Sequence, residues 1–144
     1  MKLAARAIVG VTAAALAGTM AMGGTAQAAA AQYTIDLKTC DVEDAGTDAR
    51  VEARLNGNIS SIWSNLDNPG DDRERGHTDS YSTTLTALGP IRSIDLSFDN
   101  KGDSSHWCLV EVVVRGPEGV TVHPYNNWLR RAYSKSGPLN LPAA

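Results

Sequence analysis

The segment Asp48-Ala49-Arg50-Val51-Glu52-Ala53-Arg54-Leu55-Asn56-Gly57 decides the fold. Ala49, Val51, Ala53 and Leu55 alternate with Asp48, Arg50, Glu52 and Arg54, so a strand here turns one apolar face inward and one charged face to water. It stops at Asn56-Gly57, a pair suited to a tight turn. The same period of two recurs on both sides. Tyr33, Ile35 and Leu37 share a face opposite Thr34, Asp36 and Lys38, while Tyr81, Thr83 and Leu85 form a further inward set, as do Ile94, Leu96 and Phe98. Trp107 to Val114 is almost continuously apolar, broken at Glu111, as expected of a central strand covered on both faces. Gly116-Pro117-Glu118-Gly119 then forces a turn into Val120-Thr121-Val122. No stretch of the remaining chain keeps apolar residues at i, i+3, i+4 and i+7 for three turns, which argues against a helical domain. Alternating strands punctuated by Gly, Pro and Asn predict an all-β antiparallel sandwich. By itself the pattern does not separate an immunoglobulin-like arrangement from a jelly roll.

The first residues stand apart. Lys2 and Arg6 precede an apolar and small-residue run from Ala7 to about Ala21, and Ala26-Gln27-Ala28 follows, so residues 1–28 read as a secretory signal peptide cleaved after Ala28. A transmembrane anchor is the rival, although Thr12, Gly18 and Thr19 interrupt the run and leave it short for a span. With no later apolar stretch, the expected mature chain is a secreted, extracellular, soluble monomer. The signal removes two of 13 basic residues and none of 16 acidic ones, leaving 11 − 16, a net charge of −5. That sign argues against nucleic acid, which needs Lys and Arg clustered on one face. Residues 32–131 make one domain, and residues 132–144, with Pro138, Pro142 and no acidic residue, are expected as a flexible tail.

Cys40 and Cys108 are the two cysteines, and an even count in a secreted chain predicts one disulfide. A pair of free, buried thiols is the alternative. His77, His106 and His123 sit in separate segments without zinc spacing, and no Gly-x-Ser-x-Gly elbow occurs, so the chain reads as non-enzymatic. A small secreted hydrolase or inhibitor is the weakest functional class.

Acidic residues gather in turns: Asp44-Ala45-Gly46-Thr47-Asp48, Asp71-Asp72-Arg73-Glu74-Arg75-Gly76 and Asp99-Asn100-Lys101-Gly102-Asp103. Converging loop carboxylates and carbonyls can make the all-oxygen cage that Ca²⁺ prefers. Any one of these loops alone reads more simply as a solvated turn. Together, however, Gly46-Thr47-Asp48-Ala49, the run Glu74 to Tyr81, Leu88-Gly89-Pro90-Ile91, Asp99 to Gly102 ahead of Trp107, and Trp128-Leu129 resemble the PLAT domain, also called the lipoxygenase homology domain. The resemblance covers roughly Tyr33 to Arg131.

This resemblance implies two four-stranded sheets, with Trp107 and Trp128 packed in the core. It implies Ca²⁺ as cofactor, with ligands from Gly46, Thr47 and Asp48, from Asp71, Asp72 and Glu74, and from Asp99 and Asn100. The inserted turn Asn68-Pro69-Gly70 leaves the choice between Asp71 and Asp72 open, Asp44 is a further ligand candidate, and Asp79 orders its own turn. It also implies membrane contact, for which Trp63 and Ile62, beside Ile59, are the candidate anchor because indole favours the water-lipid boundary. The alternative is that Ile62 and Trp63 begin a buried strand. Arg73, Arg75, Arg130 and Arg131 either touch head groups or are simply solvated. The function expected is a non-catalytic module that binds a lipid or membrane surface, or a protein partner, with Ca²⁺. A structural or stress-protective extracellular sandwich without lipid binding is the rival.

Overall fold

A computed structural model describes residues 24 and 27–144; the expected signal peptide falls almost wholly outside them. The alternating segments become strands β1 (Ala30–Thr39), β2 (Val51–Asn56), β3 (Ser64–Asn65), β4 (Thr78–Thr86), β5 (Ser93–Phe98), β6 (Trp107–Gly116), β7 (Gly119–Leu129) and β8 (Leu139–Pro142). They form two four-stranded antiparallel sheets, ordered β4-β1-β6-β7 and β3-β2-β5-β8. The inward rows predicted for β1, β2 and β5 meet across the sandwich: Tyr33, Ile35 and Leu37 from one sheet, and Val51, Ala53, Leu55, Ile94, Leu96 and Phe98 from the other. Trp107 is fully buried, and its indole Nε1 donates to Thr39 Oγ1 at 3.0 Å, so the ring's one polar atom is satisfied inside the core.

The apolar run in β6 has a different cause from the one expected. A register shift between Leu109 and Glu111 turns the strand, so Leu109 and Val112 both face inward while Val110 and Glu111 stay half-buried. The expected flexible tail is also corrected. Tyr133 exchanges both backbone hydrogen bonds with Phe98 at 2.8 Å, β8 pairs with β5 from Leu139 to Pro142, and Leu141 enters the core. The edge of β5 would otherwise lie open, and Pro142 is tolerated because β8 is itself an edge strand.

His123 of β7 fastens this last strand. It is fully buried, with Nδ1 3.0 Å from the Leu141 carbonyl oxygen and Nε2 2.9 Å from Thr121 Oγ1. Burial holds its pKa below the ordinary imidazole value. The folded chain therefore resists a proton that the unfolded chain accepts, so this contribution is complete above about pH 6.5 and is lost as pH falls below it. Thermal melts between about pH 7 and 5 should show stability falling with acidity, and His123→Gln should flatten that slope. An unchanged slope in the variant would show that His123 does not carry the effect.

Candidate functional site

Strand direction places the acidic loops. Lys38 pairs with Thr78 and Ala30 with Thr86, so the segments after β1, before β2, before β4 and after β5 all leave from one end of the sandwich. The Cys40–Cys108 disulfide, with Cα atoms 5.4 Å apart, closes this end. Around it Cys40 N donates to Cys108 O, Cys108 N to Ala45 O and Gly76 N to Cys40 O, each at 2.9 Å, so the bridge is embedded in backbone pairing.

Arg73 organises the loop between β3 and β4. It is only 6% exposed, which overturns both the head-group and the solvated expectation for it. Its Nη1 donates to Leu66 O at 2.8 Å and to Tyr81 Oη at 3.0 Å, and its Nη2 donates to Ala49 O at 3.2 Å. Its backbone N–H donates to Asp79 Oδ2 at 2.8 Å, and its carbonyl accepts from Thr47 N at 3.2 Å. Burial pushes the Tyr81 hydroxyl above the usual phenol range, keeping it neutral as an acceptor for Arg73. Asp79 thus orders its own loop, as expected.

The eight residues expected to ligate Ca²⁺ separate. Asp48 and Asp99 line one cleft of about 290 Å³, together with Asp67, Arg50, Arg73 and Lys101. Asp99 Oδ1 accepts from Arg50 N at 3.0 Å and Lys101 N at 3.1 Å, which fixes the carboxylate. Gly102 stands at φ +98°, where a Cβ would come within 3.2 Å of Asp48 Cβ, so a bare backbone lets the two loops meet. A smaller cleft of about 180 Å³ joins Gly46, Thr47 and Asp48 to Asp44 and Glu74, so Asp48 faces both.

Others of the set are engaged elsewhere. Thr47 Oγ1 donates to Ser104 O at 2.6 Å and accepts from Ala49 N at 3.1 Å, tying two loops together. Asp72 is buried, accepting from Asn68 N at 2.7 Å with Arg73 Nη1 at 3.6 Å. Asp71 is exposed and lines neither cleft. Asn100 donates to Arg130 O at 3.4 Å, while its buried Oδ1 has no hydrogen-bond partner. The oxygen donors and the orphaned Oδ1 suit a hard cation in kind. Among the described residues, though, no three His, Cys, Asp or Glu side chains lie close enough to hold one, and Arg50, Arg73 and Lys101 bring opposing charge. Asp67 was not singled out from sequence; its position just before the Asn68-Pro69-Gly70 turn was the available signal.

Trp128 does not pack the core as expected. It is half-buried, with the Arg130 guanidinium 5.0 Å from its ring centroid, and walls a third cleft of about 440 Å³ at the acidic end with Glu43, Asp44, Asp103 and His106. Ile62 and Trp63 do not begin a buried strand. Ile62 is 76% exposed, and Trp63 is half-buried with Arg54 and Lys135 at 5.0 and 6.0 Å from its ring centroid. The Ile59–Ile62 loop follows β2, so Ile62 lies at the end opposite the acidic loops. A single surface therefore does not present both Ile62 and the expected ion ligands. Among the described residues no helix is long and apolar enough to cross a membrane.

Two antiparallel four-stranded sheets with acidic loops at one end define a β-sandwich module. The chain belongs to the PLAT/LH2 domain family, whose profile matches residues 33–140. It is 32% identical over 101 residues to the mouse lipoxygenase homology domain-containing protein 1, a match covering 68% of this chain and 5% of that protein. A solved calcium-dependent 11R-lipoxygenase is similar at 26% identity and a TM-score of 0.60, covering 78% of this chain and 17% of the enzyme. The coral 8R-lipoxygenase shares the fold at 24% identity and a TM-score of 0.69, again over 78% of this chain and 17% of that one. The chain thus spans a small part of each relative, and the match is to the PLAT domain alone.

Proposed function

We propose that this chain is a secreted, non-catalytic module whose acidic end binds Ca²⁺ and then a lipid surface. The observation that carries the reading is that Asp48, Asp67 and Asp99, from three different loops, line one cleft, with their carboxylates set apart around it rather than gathered at one point. Asp48 and Asp99 stay in the ligand set and Asp67 joins it, with Asp44 and Glu74 across the neighbouring cleft. Bound Ca²⁺ would supply the positive charge that an acidic surface lacks when it meets anionic head groups. Val42, 45% exposed, and the half-buried Trp128 with Arg130 are the side chains at this end suited to the interface. The calcium dependence of the similar 11R-lipoxygenase supports the reading, and the disulfide suits an oxidising, extracellular setting.

Binding only the folded state, Ca²⁺ at tenfold above a dissociation constant of ~0.1 to 1 mM should stabilise the domain by about 1.4 kcal/mol. The melting temperature should rise by roughly 4 to 8 °C, and less in Mg²⁺. Asp48→Asn and Asp99→Asn should each weaken the effect, the pair adding little beyond either one. Melts that coincide in excess chelator and in Ca²⁺ would remove the ion from the function. Co-sedimentation with liposomes, with and without Ca²⁺, tests the lipid step, and binding in neither condition would point to a protein partner.

A further inference from the structure

We infer that the open edge of β4 is a dimerisation surface, on which a second copy of this chain adds its own β4 antiparallel about a two-fold axis. This departs from the monomer expected from sequence. Among the described residues the sheets end in β4 and β7 on one side of the sandwich core and in β3 and β8 on the other. All but β4 are blunted. β3 has only 2 residues, β8 carries Pro142, and β7 carries Pro124, a left-handed Asn126 at φ 49° and a Val122 carbonyl that accepts from Ala144 N at 2.9 Å. β4 runs for 9 residues without proline, lysine or arginine and in unbroken register with β1. An edge so long and unguarded is a template for another strand.

Backbone direction shows what this edge offers. Ala87 N donates to Ala29 O at 2.8 Å and Thr39 N to His77 O at 2.9 Å, so the odd-numbered residues between them turn their backbone groups toward β1. Those groups alternate along a strand, which leaves Ser80, Ser82, Thr84 and Thr86 facing the open side. Asn68 Nδ2 donates to the Ser80 carbonyl at 3.1 Å, so Ser82 to Thr86 is the available stretch. A two-fold axis at Thr84 pairs that residue with its own copy and Ser82 with Thr86. The charges select a second copy as the occupant. The exposed side chains of β4 are all Ser or Thr, and its one carboxylate, Asp79, accepts from Arg73 N at 2.8 Å. The groove of about 440 Å³ beside Thr84 and Thr86 has uncharged walls, among them Ile59 and Ile62, 52% and 76% exposed, so pairing here covers apolar surface without opposing like charges. The acidic loops leave from the Thr78 end of β4, and an antiparallel pair sets them at opposite extremes, as two net-acidic chains require.

The test is sedimentation velocity in excess chelator, with the protein at about 1 to 100 μM, the range in which a small interface associates. A reversible dimer is expected. Ser82→Pro removes a donor that faces away from β1, and Thr84→Lys sets two ammonium groups opposite one another at the axis. Each should raise the dimer dissociation constant at least about tenfold while the thermal melt of the monomer stays close to wild type. Directly opposed residues of a hydrogen-bonded pair lie about 5.5 Å apart at Cα, within disulfide reach, so Thr84→Cys should cross-link two copies under mild oxidation and Thr78→Cys should not. A chain that stays monomeric throughout, a dimer indifferent to both edge substitutions, or equal cross-linking from the two cysteines overturns the proposal.

Discussion

Arg73→Met will destabilise the domain by about 3 to 5 kcal/mol, the range for removing one partner from a buried charged network. The substitution keeps the length of the apolar stem but withdraws the donors to Leu66 O, Ala49 O and Tyr81 Oη. Each acceptor is then left buried without a partner, which costs more than the hydrogen bond itself contributed. Asp72 loses its nearest positive charge at the same time. Adding Asp72→Asn to Arg73→Met should therefore recover part of the loss, because the amide needs no counter-charge. Denaturant titration with an unchanged slope is the measurement. A loss below about 1 kcal/mol would place Arg73 among the ordinary surface arginines.

The second large effect concerns the disulfide. Replacing Cys40 and Cys108 together by serine should cost roughly 4 kcal/mol on the chain-entropy model, since the bridged residues lie 68 apart in sequence. The hydrogen bonds from Cys40 N to Cys108 O and from Cys108 N to Ala45 O remain available, so the folded acidic end should keep its form. The effect should thus fall on global stability, with any Ca²⁺ response surviving wherever the fold does. Parallel unfolding curves of the wild type with and without reductant check it. Coincident curves would show that the unfolded chain is no freer without the bridge.

Much of this architecture is local and therefore legible. A side-chain period of two is a property of a few consecutive residues, so the inward rows of β1, β2 and β5 follow from hydrophobicity alone. Five separated blocks in family order then select one sandwich among several, and two cysteines allow a single pairing. Residues 132–144 did not read as a strand, because Pro138, Pro142 and Gly137 are turn residues and β8 exists only through the open edge of β5. Trp128 and Arg73 were misplaced for a similar reason: residue type carries no record of which neighbours cover it.

The candidate site divides along the same line. Sequence alone determined that carboxylates crowd the turns and that Ile62 and Trp63 sit in an apolar loop. Only the tertiary structure decided that Asp48, Asp67 and Asp99 share a cleft, that Asp72 turns inward against Asn68 N and Arg73, and that Ile62 lies at the other end. Which end of a strand a loop leaves from depends on hydrogen bonds between segments dozens of residues apart. Those bonds form only when the sheets assemble, so the partition of charge and apolar surface between the two ends is a property of the folded sandwich.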